Sequence, residues 1–370
     1  MSKKLLHTPE GVRDIYGKEY EQKLYVERKI REKLHLYGYQ DIQTPTFEFF
    51  DVFSKEVGTT PSRELYKFFD KENNTLVLRP DFTPSIARCA AKYFCEEQVP
   101  LRFSYMGNTF NNTSNLQGKS KEVTQMGAEL INEPSVEADG EMISLVVETL
   151  LDAGLKRFQV SIGQVEYFKG LCEEAGLDEE TELDLRECIS GKNYFAAQEL
   201  LAGRNVAEPY RGKLLKVADM FGNMCSLAEA RDMAGNARSL AAIERLEKLY
   251  EVLKAYGVAE YISFDLGMLS KYHYYTGVIF KAYTYGVGEA VVKGGRYDHL
   301  LKHFGKEAPA VGFCVVIDSI MEALSRQKVE IPLERAAQIL YYGENDYKEK
   351  LAAAQRLRRE NIAAILTRKD

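Results

Sequence analysis

Gln125-Met126-Gly127-Ala128-Glu129-Leu130 lies inside a predicted strand over residues 122–131. In a strand, alternate side chains share a face, so Gln125, Gly127 and Glu129 point one way and Met126, Ala128 and Leu130 the other. The glycine is expected to leave floor space for a ligand between two polar ends. A second strand over 100–112 precedes it, across a polar loop, Thr113–Ser120, of turn composition. A strong amphipathic helix follows over Ser135–Ala153, then an alternating strand, Arg157–Gly163.

Outward from there, Tyr20, Leu24, Glu27, Ile30, Leu34 and Tyr37 recur at helical spacing, and Gly38 stands where a helix C-terminus favours positive φ. Gln40–Pro45 reads as a strand start broken by proline, and Thr75–Arg79 as a buried strand ended by Pro80. Pro84 opens a helix within its first turn. From about 165 to 257 no strand pattern appears, and the segment reads as a helical insertion. Strands return at Ile262–Leu266, Tyr274–Tyr283 and Glu289–Lys293, followed by a helix from about Phe313 to Arg326. Residues 331–370 form a separate piece: strand Ile339–Tyr342, helix Tyr347–Arg359 and strand Ile362–Leu366. Two strands and one helix cannot bury a core alone, so this piece is expected to pack on the main body, residues 1–330, or to belong to a larger domain. Sheet strands split by a helical insertion, with helices at the flanks, predict an α+β fold.

The net charge is −6, and no basic stripe of the kind that grips nucleic acid stands out. Six scattered cysteines form no C-x-x-C pair, which suits reduced thiols in a cytoplasmic protein. No apolar run is long enough to span a membrane. Gly118-Lys119-Ser120 lacks the upstream glycine of a phosphate loop, because Thr113 stands there. Gly286-Val287-Gly288 reads as a hairpin turn, and His299 with His303 as a solvated face rather than a zinc site. No metal or cofactor is implied.

Four segments remain: Leu78-Arg79-Pro80-Asp81-Phe82-Thr83, Gln125–Leu130, Tyr274-Tyr275-Thr276-Gly277, and Gly294-Gly295-Arg296-Tyr297-Asp298, the last continued by Pro309–Phe313. In order and spacing, over roughly residues 8–325, they resemble the histidine-binding and class II core motifs of histidyl-tRNA synthetase. Pro45 fits the dimer-forming proline of that class. The resemblance implies a class II antiparallel sheet with flanking helices, and an ending that matches only the start of an anticodon-binding domain. It implies that Asp81, Thr83 and Gln125 hold the α-amino group of histidine, that Glu129 with Tyr275 and Tyr297 holds the imidazole, and that Tyr274 belongs to the same histidine site. The residue chemistry agrees: two carboxylates, an amide and tyrosines suit a small, planar, cationic ligand.

Three arginines of the synthetase pattern are absent. Asn111 follows Phe110 where one belongs, Ser270 stands ahead of the paired tyrosines, and Ser319 follows Asp318 in the third motif. Ser114, Lys119 and Lys121 keep only part of the loop's basic character. A guanidinium grips phosphate with fixed, charge-assisted bonds, and one lost transition-state donor costs about 10²–10³ in rate. Aminoacylation is therefore expected to be absent. The family that keeps the histidine pocket and loses these arginines is the regulatory subunit of short-form ATP phosphoribosyltransferase. Membership implies assembly with the short catalytic subunit in a hetero-octamer, self-association as a dimer, feedback by L-histidine, and no tRNA partner. An active histidyl-tRNA synthetase, and a synthetase-like adaptor that binds no amino acid, remain the alternatives. The carboxylate of a bound histidine is left to backbone N–H groups or Arg296.

Overall fold

The computed structural model describes residues 6–53, 60–113, 120–269, 274–333 and 337–369. The chain forms two compact units, one of Met1–Asp14 and Val26–Val329, the other of Ile15–Tyr25 and Glu330–Asp370.

In the larger unit the strands are β1 (Gln40–Asp41), β2 (Phe47–Phe49), β3 (Lys67–Phe69), β4 (Thr75–Leu78), β5 (Leu101–Phe110), β6 (Glu122–Ile131), β7 (Phe158–Gln164), β8 (Phe221–Gly222), β9 (Ile262–Asp265), β10 (Val278–Thr284), β11 (Val292–Arg296) and β12 (Ala310–Val316). The helices are α1 (Gly17–Leu36, which begins in the smaller unit), α2 (Thr83–Tyr93), α3 (Val136–Asp152), α4 (Val165–Glu174), α5 (Glu179–Ser190), α6 (Tyr194–Gly203), α7 (Glu208–Lys216), α8 (Met224–Met233), α9 (Ala237–Ala255) and α10 (Ile317–Arg326).

Nine strands make one sheet in the order β1-β5-β6-β12-β11-β10-β7-β9-β8. Its centre, from β5 through β7, is antiparallel throughout; only β1–β5 and β7–β9 are parallel. This is the α+β, class II-type sheet with flanking helices that the strand pattern and the resemblance predict. A small antiparallel sheet, β2-β4-β3, stands beside it.

Local signals explain the helices. Val26, Ile30 and Leu34, four residues apart on α1, are fully buried, and Gly38 after it takes φ +79. Ser135 caps α3 by accepting from the Ala138 N–H at 3.2 Å, an arrangement typically worth about 1 kcal/mol. Phe82, Ile86, Phe103, Tyr105, Tyr297, Leu300 and Leu301 form one buried cluster between the central sheet and α2.

Several expected boundaries move. The helix expected from about Phe313 begins at Ile317, because Ala310–Val316 is β12; its small and β-branched residues fit between β6 and β11, where helical spacing offered no reason to stop. The insertion contains one strand, β8, only two residues long and so too short to show alternation. The strand expected at Tyr274–Tyr283 starts at Val278, and that at Glu289–Lys293 runs Val292–Arg296, where pairing with β12 sets the register. β2 and β3 are likewise too short to be read. Leu300–Phe304 is a 3-10 turn, so the exposed His299 and His303 do not stack as on an α-helix. Gly286 turns the β10–β11 connection at φ +94.

The smaller unit contains β13 (Gln338–Tyr342), α11 (Tyr347–Arg359) and β14 (Ala364–Arg368), with β13 and β14 parallel. Its helix and strands lie close to the expected ranges.

One buried charge cluster ties the insertion to the sheet. Asp139 on α3 is wholly buried. It accepts from Arg296 Nε of β11 at 2.8 Å and from Arg245 Nε of α9 at 2.8 Å. Removing one partner from a buried pair strands the other charge, which typically costs about 3–5 kcal/mol. Asp139→Ala should therefore lose stability on that scale in urea unfolding. Asp298→Ala removes a partly exposed partner of Arg296 and should lose less than about 1 kcal/mol.

Candidate functional site

The site starts at a clamp. Arg79, at the end of β4, is buried and donates to three backbone carbonyls: Asn108 at 2.8 Å, Thr44 at 3.0 Å and Pro45 at 3.2 Å. Its guanidinium lies 4.0 Å over the Phe82 ring. This fixes the Pro80-Asp81 turn, which delivers Asp81 to the pocket and Thr83 to the first turn of α2. Asp81 Oδ1 accepts from the Thr83 N–H at 3.3 Å.

β6 supplies the floor. Gln125 and Glu129 lie on one face, paired with Val316 and Gly312 of β12. Glu129 is 1% exposed. The Thr83 hydroxyl donates to its Oε1 at 2.8 Å, and the Tyr297 hydroxyl donates to its Oε2. Tyr274 stacks at a tilt on Tyr275, with centroids 4.5 Å apart, and meets Tyr297 edge-on at 5.8 Å. A Cβ on Gly295 would come within 2.7 Å of Tyr275, so the tyrosine ring rests directly on that strand.

These groups line a pocket of about 150 Å³, a size that accommodates a small ring such as benzene in other proteins. All seven residues expected at the site line it: Asp81, Thr83, Gln125, Glu129, Tyr274, Tyr275 and Tyr297. Thr83 is engaged with Glu129, as Tyr297 is, so both position that carboxylate. Gln125 Oε1 is buried without a donor in the described structure, which leaves an acceptor aimed at whatever fills the pocket.

Two expectations are corrected. Gly127 does not provide floor space for a ligand. A Cβ there would collide with the Phe313 carbonyl and the Tyr105 hydroxyl, so the glycine accommodates the protein's own Tyr105, its cross-strand partner. Space for the Glu129 carboxylate comes instead from Gly312, where a Cβ would overlap it. Arg296 is not available to a ligand carboxylate. It is 2% exposed and bound to Asp139, Asp298 and the carbonyls of Glu133 and Ser135.

Reasoning from sequence missed Lys293 and Cys314 as lining residues. The signal was present: Lys293 and Gly295 share a face of β11, and Gly295 carries Tyr275. Asn111 also lines the cavity, and no arginine does among the described residues. Ser319 lies on α10. Ser270, with Ser114 and residues 115–119 of the polar loop, Lys119 among them, lies outside the described residues.

Burial pushes Glu129 up from the ordinary carboxylate range to about 8; its two hydrogen bonds oppose this and the Asp81 charge adds to it. Burial, together with the neighbouring Glu129, holds Tyr297 well above its usual value. Burial raises the Cys314 thiol to about 12, so at neutral pH it is no nucleophile. Among the described residues the lining offers acceptors, aromatic faces and the Lys293 cation. Among the described residues no group of three His, Cys, Asp or Glu is placed to hold a metal ion, and no helix is long and apolar enough to cross a membrane.

Fold and pocket define the class as a histidyl-tRNA synthetase-like protein, and the histidyl-tRNA synthetase family model matches residues 11–320. The chain is 40% identical over 358 residues to the ATP phosphoribosyltransferase regulatory subunit of Acetivibrio thermocellus, covering 97% of this chain and 86% of that one. It is 39% identical to the protein of the same name from Ruminiclostridium cellulolyticum, covering 98% and 86%. A crystal structure described as an ATP phosphoribosyltransferase regulatory subunit/histidyl-tRNA synthetase from Bacillus halodurans superposes with a TM-score of 0.89 at 33% identity, covering 98% of this chain and 93% of that one. The chain belongs to the ATP phosphoribosyltransferase regulatory subunit family, within the histidyl-tRNA synthetase-like proteins.

Glu129 makes stability depend on pH with a definite sign. Its folded pKa of about 8 exceeds its ordinary value of 4.5. Between those values the folded empty protein keeps a proton that the unfolded chain releases. Stability from this group is therefore full below about 4.5 and is lost as pH rises through about 8. Glu129→Gln removes that loss, so its stability relative to the unsubstituted protein should rise from pH 5 to pH 8.5. Urea unfolding at the two pH values measures this, and a pH-independent difference would refute it.

Proposed function

We propose that the cavity binds L-histidine, and that this non-catalytic chain works as the regulatory subunit of a short-form ATP phosphoribosyltransferase. The observation that carries the reading is a pocket presenting Asp81, Gln125 and Glu129 beside three tyrosines, with no lining arginine among the described residues. The acceptors match an ammonium group and an imidazole N–H, and the tyrosine rings match the imidazole plane. ATP and phosphoribosyl pyrophosphate bind the catalytic partner, which performs the first step of histidine biosynthesis. Histidine acts on it only through different affinities for two states of the assembly. Assembly is a cytoplasmic hetero-octamer without tRNA. Self-association as a dimer is supported by Pro45 and by the exposed Phe47, Phe49, Phe68 and Phe69 of the small sheet. The core comprises 1–330 with its insertion at about 165–257, and 331–370 corresponds to the start of an anticodon-binding domain.

The absence of aminoacylation is supported by Asn111 at the cavity wall and Ser319 on α10 where phosphate-gripping arginines belong. Histidine-dependent exchange of pyrophosphate into ATP should be undetectable; measurable exchange would identify an active synthetase instead. Co-purification with a short-form catalytic subunit should give a complex whose activity needs this chain and falls with histidine. Failure to associate, or activity indifferent to both, would overturn the proposal.

Binding should also show a pH window. Between about 6.5, where free imidazole titrates, and about 8, where Glu129 titrates, the empty pocket holds one proton and the imidazole none. The complex shares that one proton, so none is exchanged with solvent. Below the window binding releases a proton, and above it binding takes one up. Histidine affinity, measured by calorimetry, should be greatest inside the window and fall by up to about tenfold per pH unit on either side. A flat profile would remove Glu129 as the imidazole partner.

A further inference from the structure

With Arg296 committed to Asp139, the ligand carboxylate is left to backbone N–H groups or to another cation of the lining. We propose that Lys293 is that cation, making the pocket a dipolar site for a free α-amino acid; this rests on the histidine reading above. Lys293 lines the cavity and is partly exposed, with no ion pair to a carboxylate in the described structure. It pairs across β11 and β12 with Cys314, itself paired with Gly127 of β6. It therefore occupies the same sheet face as Gln125 and Glu129.

Register also fixes the separation. Glu129 aligns with Gly312 and then Gly295, two residues along β11 from Lys293. Two residues along a strand and two strands across give roughly 12 Å between the Cα atoms of Glu129 and Lys293. At that spacing the two side chains reach opposite ends of a small ligand rather than each other. Glu129 agrees: the groups that shift it are Tyr297, Thr83 and Asp81, not Lys293. The pocket therefore keeps the Glu129 carboxyl and the Lys293 ammonium apart on one sheet face. A ligand without a carboxylate would have no use for the lysine, whereas a free amino acid brings one to it.

Calorimetry on the full chain with L-histidine and with histidinol, which replaces the carboxylate by a hydroxymethyl group, tests the assignment. The unsubstituted protein should favour histidine by roughly tenfold to a hundredfold, the scale of one charge-assisted bond. Lys293→Gln should erase that preference by weakening histidine alone, and Lys293→Arg should retain it. If histidine still outcompetes histidinol in Lys293→Gln, or if both ligands weaken equally, Lys293 is not the carboxylate partner although the pocket still binds histidine. If the unsubstituted protein binds neither ligand, the histidine reading fails and this assignment fails with it.

Discussion

A carboxylate buried under a sheet determines the rest of this molecule's design. Glu129 sits 1% exposed on β6, between β5 and β12 of the nine-stranded sheet, where an unsatisfied charge would be strongly unfavourable. The surroundings answer this locally. Thr83 comes from the turn fixed by Arg79, Tyr297 arrives at the end of β11, and Gly312 on the next strand gives up its side chain so the carboxylate has somewhere to lie. The geometry of β4, α2, β6, β11 and β12 converges on this one group. Its raised pKa reflects the same conflict: the hydrogen bonds hold it in place without fully replacing water.

Much of this was legible in the residues. Alternation along 122–131 put Gln125 and Glu129 on one face before any coordinates, and all seven expected site residues do meet in one cavity. What could not be read was packing across strands. Gly127 looks like space for a ligand until Tyr105 is known to lie opposite it; Gly312 looks incidental until Glu129 is. Arg296 looked available because its partner Asp139 stands more than 150 residues earlier on a helix. Lys293 was overlooked because it precedes a motif instead of belonging to it. The helix boundary at 313 failed for a related reason: a short apolar run fits a buried strand or a helix until its neighbours decide.

The proposed function divides recognition from reaction. Gripping an amino acid needs acceptors, a donor cation and aromatic faces. Activating it needs positive charge pre-placed where a phosphate would react. The described wall holds the first set and puts Asn111 where the second would begin. A site of this kind can distinguish bound from unbound, which is what regulation requires.

Asp139 joins the insertion to the strand that carries Tyr297. One of its oxygens is held by Arg296, the chain neighbour of Tyr297, and the other by Arg245 in the last helix of the insertion. The three groups behave like a pinned joint between two levers. The insertion is thus anchored one residue from Tyr297, whose hydroxyl donates to the pocket carboxyl of Glu129.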